Sequence, residues 1–525
     1  MLVQQFPPQD IPIFGDNTNQ SIGVFCMLAH QLGQGVHLPF EAIKPPNDVL
    51  HDARRRLAGW KTHHASRFSD GGFFRHRLPY FIRLYSGCVR SILSAPDRVN
   101  PSHFGCILLE FVTVKNILTM VLAGGKGERL HPLTLHRAKP AVRFGGKYRI
   151  IDSTLSNCFN SGLRKIAVLI QYKSYSLDRH IRTGWSVLNP EVGEFIASIP
   201  PQQRISEDWY RGTADAVHQN MFLLDNERSE YLLILAGDHI YKMNYAEMYE
   251  FLVEKQADAV VGALEFPLTE ASRFGVVGVD DDFRIQRWDE KPANPTPMPG
   301  DPNQALVSMG IYLFKTDVIR QYLADDAQQE SAHDFGKNII PQMIQQGRVY
   351  AFKFHDKNKK AVKYWRDIGT LDAYWEANMD LVAVDPLFNL YDQEWPLRTY
   401  QGQYPPAKFV FAQDYEGGRM GVALDSIVCG GCIISGARVQ NSVLSPDIVV
   451  QDYSEVRESV VMERVRIGEQ CKIRRAIIDK DVIIPPKTEI GYDLDLDRQR
   501  FHVTESGLVV ISKGMKLDAA INPPG

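Results

Sequence analysis

The chain has 525 residues, of which 44% are hydrophobic and 23% charged, with a formal net charge of -3. That length exceeds what a single core carries, so two or three domains are expected, and the near-neutral balance excludes a global pull toward nucleic acid or an anionic membrane. Seven scattered cysteines make no disulfide framework, and the start MLVQQFPPQD lacks the basic and apolar blocks of a signal peptide, so the chain reads as cytoplasmic.

Residues 1–113 hold seven of the fifteen histidines and nine arginines, but only Lys44 and Lys61 as lysines. Little strand or helix periodicity runs through them. They read as an N-terminal extension that is poorly ordered or not part of the native chain, because VKNILTMVLAGG from Val114 looks like the start of a first strand.

From 114 to 385 strand-like runs alternate with helical ones. KIAVLIQY, YLLILAGDHIY and DAVVGALEF are continuous apolar runs, whereas TADAVHQNMFLL and YAEMYEFLVEKQ have helical spacing. Buried strands joined by helices predict an α/β domain with a mostly parallel sheet, which binds ligands at the C-terminal ends of its strands. The loop LAGGKGERLHPLTLHRAKPA occupies such an end. It matches neither common phosphate fingerprint, yet Lys126, Arg129, Arg137 and Lys139 fall within fourteen residues of one another. Backbone N–H groups and that cationic density suit a triphosphate.

Two carboxylates stand out beside it. Asp238 ends the apolar run LILAGDHIY, and Asp367 lies in YWRDIGT between aromatics and a turn glycine. Each alone reads equally as a cap or a ligand; converging near the phosphates, they would make a hard-oxygen site for Mg²⁺.

Residues 386–420 read as a linker. After it, Ile433, Val450, Ile467 and Ile484 recur at seventeen residues, as do Val439, Val456, Ile473 and Ile490, and Val443, Val460 and Ile477 keep the same step. This is the hexapeptide pattern of a parallel β-helix over 421–525, with Pro485 and Pro486 at corners. Cys429 and Cys432 form a C-x-x-C without a second pair at zinc spacing, so they read as turn residues.

From about Lys115 onward the chain resembles the bacterial ADP-glucose pyrophosphorylase (glucose-1-phosphate adenylyltransferase) family. The resemblance rests on LAGGKGERL, RAKPAVRFGGKYRIIDSTLSN, WYRGTADAV, LAGDHIY, EKPANP, SMGIY, HDFGKNIIP and YWRDIGT, in that order. It implies a Rossmann-like nucleotidyltransferase domain followed by a left-handed β-helix, and adenylyl transfer from ATP to glucose 1-phosphate for glycogen or a similar α-glucan. It also implies an allosteric homotetramer.

By that resemblance Leu122, Ala123, Gly124, Gly125, Gly127, Gln171, Trp209, Tyr210, Arg211 and Gly212 bind ATP. Arg129, Lys139, Asp238 and Asp367 are the catalytic set, with Asp238 and Asp367 holding the metal. Tyr210, Gly275, Glu290, Lys291, Ser308, Tyr312, Asp334, Phe335 and Trp365 surround glucose 1-phosphate. His136, Arg137, Arg143 and Arg149 are candidates for an anionic effector. Members activated by fructose 1,6-bisphosphate commonly carry a lysine just before Arg-Ala-Lys-Pro; here it is His136, largely neutral near pH 7.

Three other readings compete with this one. A sister enzyme making another nucleotide sugar differs only around the base. A β-helix acyltransferase needs a histidine in the coil, and none lies between Gly421 and Tyr492. A non-catalytic subunit would be expected to lack phosphate-site groups that are present here.

Overall fold

The computed structural model describes residues 116–202 and 209–517. The N-terminal extension 1–113, the boundary at 114 and residues 518–525 of the last segment lie outside the described residues.

The expected apolar runs become strands: β1 Ile117–Ala123, β2 Lys165–Ile170, β3 Phe195–Ile199 and β4 Tyr231–Ala236. YLLILAGDHIY is two strands rather than one, because Gly237 and Asp238 turn the chain out of the sheet before β5 His239–Tyr241. The sheet continues with β6 Ala259–Pro267, β7 Gly275–Val279, β8 Ile285–Glu290, β9 Gln304–Lys315 and β10 Val349–Lys353. Its order is β8-β7-β9-β4-β1-β2-β3, with β6 pairing both β9 and β10. Only β8 and β9 run against the other seven of the nine strands, as a mostly parallel sheet requires.

Both faces of the sheet are covered, which is why its strands are apolar throughout. Ile117 and Val121 of β1 face a core with Ile151 and Leu155 of helix α1 (Ile150–Asn160) and Leu177 of helix α2 (Tyr175–Gly184). Leu118 and Met120 face the opposite core, with Val217 of helix α3 (Thr213–His218) and Leu224 of helix α4 (Phe222–Glu227). From β1 the chain passes to β2 and β3 on one side and returns to β4 on the other. The C-terminal end of β1 is therefore a topological switch point, the crevice where such sheets bind ligands.

The remaining coil is a parallel β-helix with three faces. Its first strand, Lys408–Val410, pairs with Ile433–Ser435, so the coil begins inside the stretch read as linker. The seventeen-residue step is not visible there because the chain makes an excursion between Phe411 and Gly421 before the next face.

The repeat itself needs two corrections. The first interior position is Ile434, aligned with Val450, Ile467 and Ile484, while Ile433 is 38% exposed. One turn of the coil is a residue shorter than the others. On the third face Leu444, Val461 and Ile478 line the interior; Val460 and Ile477 point the other way and are buried by the α/β domain. A residue packed outward against a second domain has the same apolar signature as an inward one.

Most corners are set by left-handed residues other than glycine, with Gly431 and Gly436 taking the equivalent positions one turn before Asp447 and Tyr453. Asn441, Glu458 and Arg475 have positive φ at seventeen-residue intervals, as do Asp447, Arg464 and Asp481, and Tyr453, Gln470 and Lys487. Such conformations cost on the order of 1 kcal/mol or more each and persist only where the surroundings over-determine them; stacked interior rows supply that here. Cys432 lies buried after the turn and Cys429 half-buried before it. Burial pushes their thiols up to about 11 and about 12, the reverse of a reactive thiolate.

The α/β domain and the coil share one more core, in which Leu133, Phe144 and Tyr374 meet Val460, Met462 and Ile477. Arg137 pairs there with Asp479, both side chains almost fully buried, and Arg143 pairs with Glu463. Among the described residues no helix is long and apolar enough to cross a membrane. Removing one partner of a buried pair leaves an uncompensated charge, so Asp479→Asn should destabilise the protein by about 3–5 kcal/mol in chemical denaturation. The double variant Arg137→Met/Asp479→Leu should recover most of that loss; if it is no more stable than the single variant, the ion pair is not what Asp479 contributes.

Candidate active site

Helix α1 shows how the cleft is held open and rigid. Its sequence, IIDSTLSNCFN, looks too polar to bury, yet Asp152, Ser153, Thr154, Ser156 and Asn157 are all inside. Each is a peg. Thr154 Oγ1 donates to the carbonyl of Ala236 at the end of β4, Ser153 Oγ donates to Tyr241 O, and Asn157 Nδ2 donates to the same carbonyl. Asp152 accepts from Arg149 N, His180 Nε2 and Trp185 Nε1. Burial opposes its charge, but His180 and these donors hold its carboxyl below the usual range. Sequence periodicity missed these residues because it scores polarity, not hydrogen-bond satisfaction; the run of small polar residues in one helix was the available signal.

The glycine loop leaves β1 at Gly124. Gly127 has φ 65°, and its carbonyl accepts from Leu130 N and from Thr134 Oγ1 at 2.9 Å, closing the loop on itself. Gly124 lies so close to Gln171, the residue after β2, that an added Cβ would sit 3.1 Å from the Gln171 side chain. Gln171 Oε1 in turn accepts from Tyr210 N at 3.2 Å. Loop, β2 end and Trp209–Gly212 segment, all assigned to the nucleotide by sequence, are thus adjacent. Lys126 and Arg129 are exposed over the loop.

Lys139 is different. It is only 8% exposed, and its ammonium donates to Asp238 Oδ2 at 2.7 Å and to Asp367 Oδ1 at 3.3 Å. Asp238 follows β4, where Gly237 N donates to Leu122 O, and Asp367 closes strand β11 (Trp365–Asp367), which pairs with β5. Burial disfavours the Asp238 charge, but Lys139 and then His239 outweigh it and hold that carboxyl below its ordinary value. His239 Nε2 lies 3.6 Å from Asp238 and 3.8 Å from Asp367. Among the described residues these three form the one group whose ligand atoms lie close enough together to share a metal. The partly exposed carboxylate oxygens of Asp238 and Asp367 suit a hard divalent cation, a preference the His239 imidazole does not add to.

On the other side of the cleft Glu290 ends β8. Glu290 crowds Gly275 and Gly336, where an added Cβ would come 3.0 and 2.7 Å from its Oε2. Lys291 turns outward at φ 49°, its ammonium 3.7 Å from Glu290 Oε1. Ser308 and Tyr312 flank the irregularity of β9 at Met309 and Gly310. Asp334 Oδ1 accepts from Gly336 N and Lys337 N, and its Oδ2 from Thr213 Oγ1. Phe335 was expected to offer a face to a sugar ring; it is 2% exposed and stacked on Tyr312 and Phe314, so its ring backs the wall. Trp365 packs edge-on against His239 and Phe274.

The four effector candidates are split. His136 is exposed, whereas Arg137 and Arg143 are held in the ion pairs to the coil, and Arg149 donates to Ala141 O and Ser176 Oγ. Sequence reading missed Lys480, which joins this cluster from the coil. Burial, with Arg137, Arg149 and Lys513 nearby, pushes its ammonium down to about 7.

With this geometry in place, comparison with known proteins is direct. Residues 118–383 match the nucleotidyl transferase family, and residues 405–511 match the GlmU-like C-terminal hexapeptide family. The chain is 54% identical over 403 residues to glucose-1-phosphate adenylyltransferase of Koribacter versatilis, covering 76% of this chain and 96% of that one. It is 54% identical over 415 residues to that of Rhodopirellula baltica, covering 78% and 93%, and 52% identical over 399 residues to that of Methylococcus capsulatus, covering 76% and 93%.

The buried Asp152 yields an acid test. A carboxyl with a lowered folded pKa contributes stability that is present above its unfolded value, about 4, and lost as pH falls through the folded one. Asp152→Asn should therefore be about 1–3 kcal/mol less stable than wild type at pH 7, with the gap closing below about pH 4. Urea titrations at both pH values decide it, and a gap independent of pH contradicts the assignment.

Proposed function

This chain belongs to the glucose-1-phosphate adenylyltransferase family of nucleotidyl transferases, and from that premise we propose how its cleft moves the adenylyl group of ATP onto α-D-glucose 1-phosphate, giving ADP-glucose and pyrophosphate. The observation that carries the reading is the convergence of Lys139, Asp238 and Asp367 beside the glycine loop at the end of β1.

ATP lies along Leu122, Ala123, Gly124, Gly125 and Gly127, with Arg129 over its phosphates and Gln171, Trp209, Tyr210, Arg211 and Gly212 around the nucleoside. The sugar phosphate takes the opposite wall. Lys291 faces its phosphate; Glu290 and Asp334 accept from hydroxyls with their remaining lone pairs; Gly275, Ser308, Tyr312 and Trp365 shape the pocket, and Phe335 supports Tyr312.

The nucleophile is a phosphate oxygen already anionic at neutral pH, so no side chain has to remove a proton. The residues align two anions in line and offset their mutual repulsion, which is catalysis by position and electrostatics. Lys139 and Arg129 meet the charge that shifts toward the departing pyrophosphate. Nucleotidyl transferases generally use a divalent cation; here Asp238 and Asp367 would hold it, Mg²⁺ being the natural choice for oxygen donors, and when bound it would neutralise phosphate charge. The product supplies glycogen or a similar α-glucan in the cytoplasm, and the assembly is a homotetramer, which light scattering of the purified protein checks.

Pyrophosphate release with glucose 1-phosphate and Mg²⁺, measured with ATP, UTP, dTTP and GTP in turn, should show a clear ATP preference. Asp238→Asn should lose roughly a hundredfold to a thousandfold in turnover. Preference for another base would make this a sister enzyme, and an active Asp238→Asn would refute the catalytic assignment.

Regulation is assigned to an anion at the junction of catalytic domain and coil, near His136, Arg137, Arg143 and Arg149. The cationic crowding around Lys480 supports this, since an anion there would relieve it. Lys480 faces Arg137, Arg149, Lys513 and Asp479, and its depressed value makes it neutral above about 7. Affinity for AMP, a sugar bisphosphate or phosphate should therefore fall as pH rises through about 7, and Lys480→Gln should flatten that dependence. Calorimetric titration at pH 6 and pH 8 checks it; equal affinities at both would remove Lys480 from the site.

A further inference from the structure

His333 lies inside the protein between the two substrate walls and is used by neither. It is 3% exposed and its partner Asp326, in helix α5 (Thr316–Ala327), is 2% exposed. An ionised carboxylate only accepts, so His333 Nδ1 carries the proton that goes to Asp326 Oδ2, at 2.8 Å. Ser331 completes the knot. Its hydroxyl donates to Asp326 Oδ1 at 2.7 Å and accepts from His333 N at 2.9 Å.

The knot holds His333 at φ 48°, a left-handed conformation uncommon for any residue but glycine. That backbone does two things at once. Its carbonyl accepts from Ala214 N at 2.7 Å and is the surface on which Gly212 rests, so that a Cβ on Gly212 would fall 2.2 Å from it. In the other direction it launches Asp334 and Phe335. These are laced back to the nucleotide side through one hydroxyl, for Thr213 Oγ1 donates to Asp334 Oδ2 at 3.0 Å and accepts from Phe335 N at 3.1 Å.

We propose that His333, fixed by Asp326 and Ser331, is a positioning residue that couples the nucleotide wall at Arg211–Thr213 to the sugar wall at Asp334–Phe335. The proposal rests on the assignment of those two walls given above. Both segments hang on one backbone carbonyl and one threonine hydroxyl, so neither wall shifts without the other. The consequence is linkage between substrates: loosening the knot degrades recognition of ATP and of glucose 1-phosphate together.

Steady-state kinetics with each substrate varied separately test this. His333→Leu, which keeps bulk and loses the donor, should lower kcat/KM for both substrates by about tenfold to a hundredfold. His333→Asn, which tolerates the left-handed backbone and keeps an N–H donor, should restore most of it. Gly212→Ala, placed on the nucleotide wall, should raise KM for glucose 1-phosphate as well as for ATP. Its effect should be less than additive with that of His333→Leu, as for groups acting through one contact.

A His333→Leu protein with a lower melting temperature but unchanged KM values overturns the proposal, as does an effect confined to one substrate. If His333→Leu does not fold, Ser331→Ala, which removes the hydroxyl that donates to Asp326 and accepts from His333 N, should raise both KM values together; unchanged values, or a change confined to one KM, overturn the proposal. Glu290→Gln in the same assay separates the premises. If it leaves KM for glucose 1-phosphate unchanged, the sugar-wall assignment fails and takes the proposal with it. If it raises that KM while the His333 and Gly212 variants stay silent at the opposite wall, only the coupling is refuted.

Discussion

An ammonium group held between two carboxylates is the constraint around which this catalytic domain is arranged. Lys139, Asp238 and Asp367 come from points in the chain separated by 99 and 228 residues from the lysine. A charge as buried as Lys139 is tolerable only with partners in place, so the RAKPA turn, the end of β4 and the β5–β11 ribbon must be located to within hydrogen-bond distance. Much of the surrounding structure serves that demand. The glycine loop closes on Gly127, the polar helix α1 fastens β4 and β5 from behind, and the switch point of the sheet keeps the space in front open.

The coil contributes to the same constraint from a distance. Arg137 precedes Lys139 by two residues and is tied to Asp479 on the third face of the β-helix, whose outward aliphatic row is buried by the catalytic domain. Lys480, the neighbour of Asp479, sits in the cationic cluster with Arg149. The charges of this junction therefore lie two residues along the chain from Lys139.

A good deal of this was legible in the residues. The alternation of apolar runs and helical spacing predicted a mostly parallel sheet, and seven strands of nine share a direction. The seventeen-residue step predicts a β-helix, but the interior position is Ile434 rather than Ile433 and the coil starts at Lys408 rather than Gly421. Those errors share a cause. Periodicity locates repeats but not the residue at which a turn loses or gains one position, and an apolar side chain does not declare whether it faces the interior or a neighbouring domain. The buried pegs of α1 and the His333–Asp326 knot were illegible for the complementary reason: a polar residue looks solvent-exposed until its partner, often far along the chain, is known.

Local residue patterns specify the class of protein. Glycine and cationic density at a strand end, carboxylates after apolar strands and a strict aliphatic repeat are local facts, set by propensity and spacing, and they suffice to name the elements and nominate the site. Tertiary structure alone decided the relations among them: that Lys139 meets both carboxylates, that Phe335 stacks on Tyr312 and Phe314, that Arg137 and Arg143 are committed to the coil, and that Gly212 and Ala214 both meet the His333 carbonyl. The reason is physical. Burial, pairing and pKa depend on the distance between groups brought together by folding, and that distance is not a property of any stretch of sequence.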